Sequence, residues 1–271
     1  MIEEEEINKM EFDKILPKDL IYNHSELGEW AILSAYRGSI THGMYIPGND
    51  SDGIDDKDVM VINVPPIDFY FGLKNFGSRG TVEIKYKEWD IVIYEIRKFI
   101  NLLIQGNPNV LSILWLDENH YIKRTYAGDI IINNRDLFVG RHVYKSFVGY
   151  AHGQLHRMTH QAYKGYMGEK RKALVDKYGY DTKNGAHLIR LLRMGIEFLK
   201  DGKMLVMRPD RQELLDIKRG KWSLDQVLKE ADRGFKLAEE MYLKSDLPRE
   251  PDKEKVNRLL IEIIARVYDL Y

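Results

Sequence analysis

The chain contains no cysteine. That excludes disulfides, thiolate metal sites and cysteine nucleophiles, and it fits an intracellular protein. No apolar run approaches the length of a membrane span. The opening Met1-Ile2-Glu3-Glu4-Glu5-Glu6 is the opposite of the basic leader of a secretory signal. A soluble, cytoplasmic protein is therefore expected. There is no internal repeat and no low-complexity tract. Net charge is also nearly absent, at −1 over 271 residues, but the balance hides an asymmetry. Residues 1–120 carry 21 Asp/Glu against 11 Lys/Arg, and residues 121–271 carry 21 against 30. Most of the basic excess lies in 141–220, with 17 basic residues facing 8 acidic ones. An acidic half joined to a basic half suits metal chemistry on a polyanion. Ordinary solvated helix faces are the competing reading of the same charges.

What is present points to chemistry at three places. Gly38-Ser39-Ile40-Thr41-His42-Gly43 is a glycine-serine turn. The missing Cβ of Gly38 lets backbone N–H groups approach a phosphate, and the Ser39 hydroxyl can donate to one. Asp56-Lys57-Asp58 then leads into Val59-Met60-Val61-Ile62. In a strand, residues two apart share a face, so Asp56 and Asp58 are expected side by side while the apolar run enters the core. Adjacent carboxylates repel unless a cation neutralises them, and magnesium takes oxygen ligands of this kind. Asp90 heads a further apolar strand, Ile91-Val92-Ile93. It can complete a metal site or take a proton from an attacking hydroxyl. The acidic insert 49–55 offers a second carboxylate pair, Asp52 and Asp55. Alternation into Val59–Val61 favours Asp56 and Asp58. An EF-hand is excluded: with Gly53 at its sixth position, the loop would start at Gly48 and end at Val59, neither a carboxylate. A plain solvated turn is the competing reading of Asp-x-Asp alone. Gly38-Ser39 before it and Asp90 after it favour catalysis.

Gly-Ser, a spacer, Asp-x-Asp in a strand and a later lone Asp resemble the DNA polymerase beta superfamily of nucleotidyltransferases. Several further segments are similar to the branch of predicted nucleotidyltransferases associated with RNA ligases. They are the Ser39–Gly43 turn, Asp90 through Phe99, Gly106-Asn107-Pro108-Asn109, Gly149 through Arg157, and the segment Ala186–Arg193. The resemblance covers roughly residues 30–220. The spacer from Gly38 to Asp56, 18 positions, departs from the superfamily pattern by its length. The resemblance implies an α+β protein, with a small mixed β-sheet nucleotidyltransferase domain flanked by helices (1–130) and a helical substrate-binding domain after it (131–271). It also implies two Mg2+ ions held by Asp56, Asp58 and Asp90, with a nucleoside triphosphate on Gly38 and Ser39. A nucleoside monophosphate would pass to an acceptor hydroxyl, an RNA end first of all, with release of pyrophosphate. A protein side chain or a small molecule as acceptor uses the same carboxylates. A nucleotide-binding regulatory module without turnover is a further alternative.

The pattern along the chain predicts a short helix near 19–27 and an apolar strand or helix end from Trp30 to Tyr36. A strand is expected over 59–64. Residues 81–86 and 90–94 should pair antiparallel, and a helix should start at Glu95 with Ile96, Phe99, Ile100 and Leu103 on one stripe. Candidate helices follow at about 141–164, 167–178, 183–201, 223–243 and 252–270, with Gly202 as a C-cap and Asp210 and Ser223 as N-caps. The stripe Val256, Leu259, Leu260, Ile263, Ile264, Val267 is core packing or an oligomer contact, with core preferred. His152, His156 and His160 make a row at helical spacing. No glutamate stands where a His-Glu-x-x-His site needs one, so the row is assigned to a substrate groove with Gln154 and Arg157 rather than to metal, with a partly exposed, hydrogen-bonding helix face as the plain alternative. His187, Arg190 and Arg193 recur at three-residue steps. They are expected opposite or beside the apolar face, either as triphosphate and acceptor contacts or as helix-surface charges. His42, within the turn, is assigned to the substrate. Lys170-Arg171-Lys172 is expected as a solvated basic corner.

Overall fold

The computed structural model describes residues 16–47, 55–159 and 169–270. After a short helix, α1 (Lys18–Asn23), come the strands β1 (Ala31–Tyr36), β2 (Lys57–Asn63), β3 (Thr81–Tyr86) and β4 (Trp89–Glu95). Helix α2 (Ile96–Ile104), strand β5 (Tyr121–Arg124) and helix α3 (Tyr126–Asn133) follow. The remainder is helical: α4 (Val143–Thr159), α5 (Glu169–Tyr178), α6 (Thr182–Asp201), α7 (Arg211–Lys218), α8 (Leu224–Lys244) and α9 (Lys253–Val267). The protein is thus α+β, a mixed five-stranded sheet with helices followed by a helical region.

The sheet order is β3-β4-β2-β1-β5. Only β2 and β4 run parallel; the other neighbours are antiparallel. In β2, Val59 to Asn63 are all buried, because both faces of this central strand are covered. Val59 and Val61 pack with Ile91, Ile93, Tyr36 and Leu20 on one side. Met60 and Ile62 pack with Val92, Ile96 and Phe99 on the other, which continues into the helical region. Full burial of each such side chain is worth about 1.5–3 kcal/mol.

The stripe foreseen in α2, Ile96, Phe99, Ile100 and Leu103, is the buried set. Gly202 ends α6 at φ +64, its N–H bonded to the Phe198 carbonyl. Ser223 caps α8 in a reciprocal capping box with Gln226. Helix α9 packs back onto α2 and α3, burying Val256, Leu259 and Ile263. Two elements carry no clear sequence signal. Strand β5 has four residues, too few for a period to show; it is fixed by pairing to β1 and by Lys123 Nζ donating to the Gly28 carbonyl at 2.6 Å. Helix α7 follows Asp210, but that carboxylate does not cap it. Arg208 and Arg193 take it instead, at 2.8 and 2.7 Å, since a charged partner outcompetes a backbone N–H. Among the described residues, no helix is long and apolar enough to cross a membrane.

Candidate active site

The register of β2 against β4 sets the site. Asp58 stands directly opposite Asp90 in the parallel pair. Strands lie about 4.8 Å apart, so the two carboxylates are neighbours. They share the parity of Met60 and Val92, and so lie on the sheet face that continues into the helical region. Asp58 and Asp90 are 31% and 30% exposed, and the Arg37 guanidinium lies between them, 3.6 Å from Asp58 and 3.8 Å from Asp90. Lys85 approaches Asp90 at 3.9 Å. Burial pushes the Asp58 carboxyl up to about 6 against the pull of Arg37 and Lys183, and the charges of Asp90 and Asp55 add to the rise. Asp56 is exposed, one position before β2 begins.

Gly38 lies against this pair. Its φ is +68, and a Cβ there would come within 2.7 Å of Asp58 Oδ2. Only glycine takes this backbone and this approach without strain. The turn that follows is closed by His42 N–H to the Gly38 carbonyl and Met44 N–H to the Ser39 carbonyl, at 3.2 and 2.8 Å. The Thr41 hydroxyl also donates to the Gly38 carbonyl, at 3.1 Å. Ser39 is buried at the head of the turn. Tyr45, half-buried just beyond it, has its hydroxyl pKa raised by burial and by the charges of Asp55, Glu88, Asp56 and Asp58.

The helical region grips this turn from behind. His42 is 4% exposed; its Nδ1–H donates to the Val206 carbonyl at 2.9 Å, and its Nε2 accepts from Arg190 at 2.7 Å. Burial first, and then the Arg190 charge, holds this imidazole well below its ordinary pKa, so it is neutral. Arg190 is itself buried, against His42 and the Met194 sulfur. Burial and the nearby Arg208 lower its pKa to about 9. Arg193 spends its donors on Asp210, Glu213 and Glu230, each within 2.8 Å. The expected placement of these arginines opposite or beside the buried face of α6 is corrected. Helices α4, α7 and α8 cover α6 on several sides, so little of the helix is left to solvent. His187 is partly buried beside Arg190 and Lys183, with its pKa driven well down by burial.

Asp55 is engaged elsewhere. It is buried, salt-bridged to Lys218 and, at 3.0 Å, to Lys183, and it accepts the Ile46 N–H at 2.8 Å. Lys218 also donates to the Met44 carbonyl at 2.7 Å. Asp52, His160 and the Lys170 side chain lie outside the described residues. Arg171 of the expected basic corner turns inward to Asp181, at 2.7 Å. On α4, Gln154 is half-buried and Arg157 exposed. The His152 ring stacks on Phe235 at 4.2 Å, which occupies one member of the histidine row.

Two acidic oxygens side by side, one of them with a raised pKa, form a donor set that a hard divalent cation relieves, and in that sense the residues fit magnesium. Among the described residues no group of three or more His, Asp or Glu side chains is gathered to hold a metal ion. A central parallel pair carrying opposed carboxylates beside a glycine-serine turn is the core of a polymerase beta-like nucleotidyltransferase. The chain matches the family described as "RlaP: RNA repair pathway DNA polymerase beta family" over residues 26–262, most of its length, and belongs to that family. No curated protein matches it.

Proposed function

We propose that the protein transfers a nucleoside monophosphate from a nucleoside triphosphate to a hydroxyl at an RNA end, releasing pyrophosphate. The observation that carries this reading is the Asp58–Asp90 pair, opposed in register on one sheet face and packed against the bare Cα of Gly38. Asp58 and Asp90, joined by Asp56 from the position before β2, would hold two Mg2+ ions, which when bound would supply charge neutralisation of the triphosphate and of the transferring phosphoryl group.

The chain's own groups do the rest. The Gly38-Ser39 turn offers backbone N–H groups and a hydroxyl to the triphosphate oxygens. Asp90 accepts the proton of the acceptor hydroxyl as it attacks. A new bond forms from that oxygen to the α-phosphorus, and the bond from phosphorus to the departing pyrophosphate breaks. Arg37, which adjoins Gly38 and lies between Asp58 and Asp90, is the cation nearest the turn to meet a phosphate there. His42 and Arg190 support the turn from behind, while Arg193, held by Asp210, Glu213 and Glu230, and His187 brace the helix that carries Arg190. Gln154 and Arg157 are left to line the acceptor groove. We place the reaction in the cytoplasm.

The test is incubation with each α-phosphate-labelled nucleoside triphosphate, Mg2+, and a mixture of total RNA and protein. Label in RNA that disappears with Asp58→Asn supports the reading. Label in protein or in small molecules moves the acceptor to that class. No label in any fraction refutes transfer.

A further inference from the structure

At the other end of β4 from Asp90 the structure holds a second place built for an anion. Asp90 and Glu95 are five residues apart, about 16 Å along the strand. Beside Glu95 lies a cavity of about 340 Å³ lined by Lys74, Arg79, Arg97 and Lys98, with the backbone of Gly77 and Gly80. Glu95 is the only acidic side chain in the lining, and it is already committed: its Oε1 accepts from the Arg97 N–H and Nε at 3.0 and 3.1 Å. Lys74 pairs with Asp68 at 2.6 Å. Arg79 and Lys98 have no carboxylate partner among the described residues. The cavity therefore carries unspent positive charge.

Its wall is a built loop. Gly77, Arg79 and Gly80 have φ of +47, +53 and +79. Ser78 and Thr81 exchange backbone hydrogen bonds of 2.8 and 3.1 Å, and Gly80 N–H bonds to the Phe76 carbonyl at 3.0 Å. Arginine at a left-handed φ costs free energy that glycine would not, and here that strained position delivers a guanidinium to the cavity. Just before the loop, Phe71 and Leu73 are 86% and 100% exposed. Phe71 is outside the cavity lining but stands only a few positions before Lys74 in the chain, and an exposed ring with unspent cations is the chemistry that holds a single nucleic-acid strand, bases on rings and phosphates on cations. The basic excess of 141–220 is a poorer candidate, because Arg171, Lys183, Arg190, Arg193, Arg208 and Lys218 all face partners within the protein.

We propose that this cavity binds a nucleotide phosphate, presented by single-stranded RNA, with Arg79 and Lys98 as its main contacts and Phe71 stacking a neighbouring base. The inference rests on the RNA-end reading above and names the surface that holds the RNA.

The experiment is fluorescence anisotropy with a short fluorescein-labelled single-stranded RNA, without nucleoside triphosphate or Mg2+, so it is independent of turnover. The variants are Arg79→Gln/Lys98→Gln, Phe71→Ala and, as a control on the exposed side of α8, Lys236→Gln/Lys244→Gln. The first pair should weaken binding about tenfold and flatten the log–log salt slope by about 0.7, the share of the one phosphate left without its cations. Phe71→Ala should weaken binding without changing the slope, and the control should match wild type. Calorimetric titration with a free nucleoside monophosphate separates the sources. If only the free nucleotide binds, and the double variant loses it, the phosphate site stands and the RNA strand is refuted as its source. If the double variant binds both ligands as wild type does, the proposal is overturned, whatever the labelling experiment shows.

Discussion

Asp58→Asn should make the protein more stable while removing its activity. The Asp58 carboxyl ionises at about 6 in the folded chain rather than at its ordinary 3.8, chiefly because burial strips its hydration, with Asp90 and Asp55 adding repulsion. That gap corresponds to about 3 kcal/mol of penalty on the ionised form at neutral pH. The side chain is 31% exposed, so solvent screening reduces the figure to about 1–2 kcal/mol. The sign follows from linkage. Between pH 3.8 and about 6 the folded state binds the proton more tightly than the unfolded state does. This group's contribution to stability therefore falls as pH rises through that window. Asparagine keeps the shape and has no charge to desolvate, and Arg37 keeps Asp90 as a partner. In EDTA at pH 7, Asp58→Asn should melt about 3–6 °C above wild type. The difference should shrink as pH is lowered through 6 and vanish below 4. Added Mg2+ should raise the wild-type melting temperature and leave the variant unmoved. A variant that melts at or below wild type at pH 7, or a difference that does not depend on pH, would refute the claim that Asp58 is held against its own charge.

Gly38→Val should abolish transfer and lower the melting temperature, because its Cβ would meet Asp58 Oδ2 at 2.7 Å and its φ is +68; full activity in a labelled-nucleotide assay would show the turn to be a mere connection. Ser39→Ala should fold normally and lose about a hundredfold to a thousandfold in rate, the range for one oriented donor. Lys218→Met should cost about 3 kcal/mol in urea denaturation, since it leaves Asp55 buried with Lys183 alone. Adding Asp55→Asn to that variant should recover part of the loss, and strict additivity of the two would deny their coupling. Arg193→Ala should destabilise the fold by uncovering the charges of Asp210, Glu213 and Glu230, yet leave the salt dependence of RNA binding unchanged; a flattened slope would return this arginine to the acceptor site.

Much of the fold was legible because local patterns and tertiary packing agree. Val59–Ile62 is apolar throughout, as a strand covered on both faces must be, and Ile96, Phe99, Ile100 and Leu103 keep the period of a helix on a sheet. The antiparallel pairing of 81–86 with 90–94 was likewise visible from alternation, although the second strand runs one residue further at each end, Trp89–Glu95. Strand β5 was not, because Tyr121–Arg124 is held by pairing to β1 rather than by any period of its own. The opposition of Asp58 and Asp90 could be anticipated only as membership of neighbouring strands. Their parallel register depends on the excursion through β3, whose length and path are tertiary facts.

Charge was the least legible property. On paper, 141–220 is a basic surface waiting for a polyanion. In the fold, α6 is the central helix, and the carboxylates that neutralise its cations arrive from α7, α8 and the loop before β2, between 17 and 128 positions away (Asp210 from Arg193, Asp55 from Lys183). No window of sequence can register a pairing of that kind. The consequence reaches the site. Asp55 immediately precedes Asp56, and its two lysines fix the entry to β2 from the helical region. Meanwhile His42 and Arg190 fix the glycine-serine turn from the same side. The basic residues thus set the relative position of the glycine-serine turn and the carboxylate strand. For the in-line transfer proposed above, where a misplacement of 1 Å can cost about a hundredfold, that positioning matters as much as attraction of the substrate.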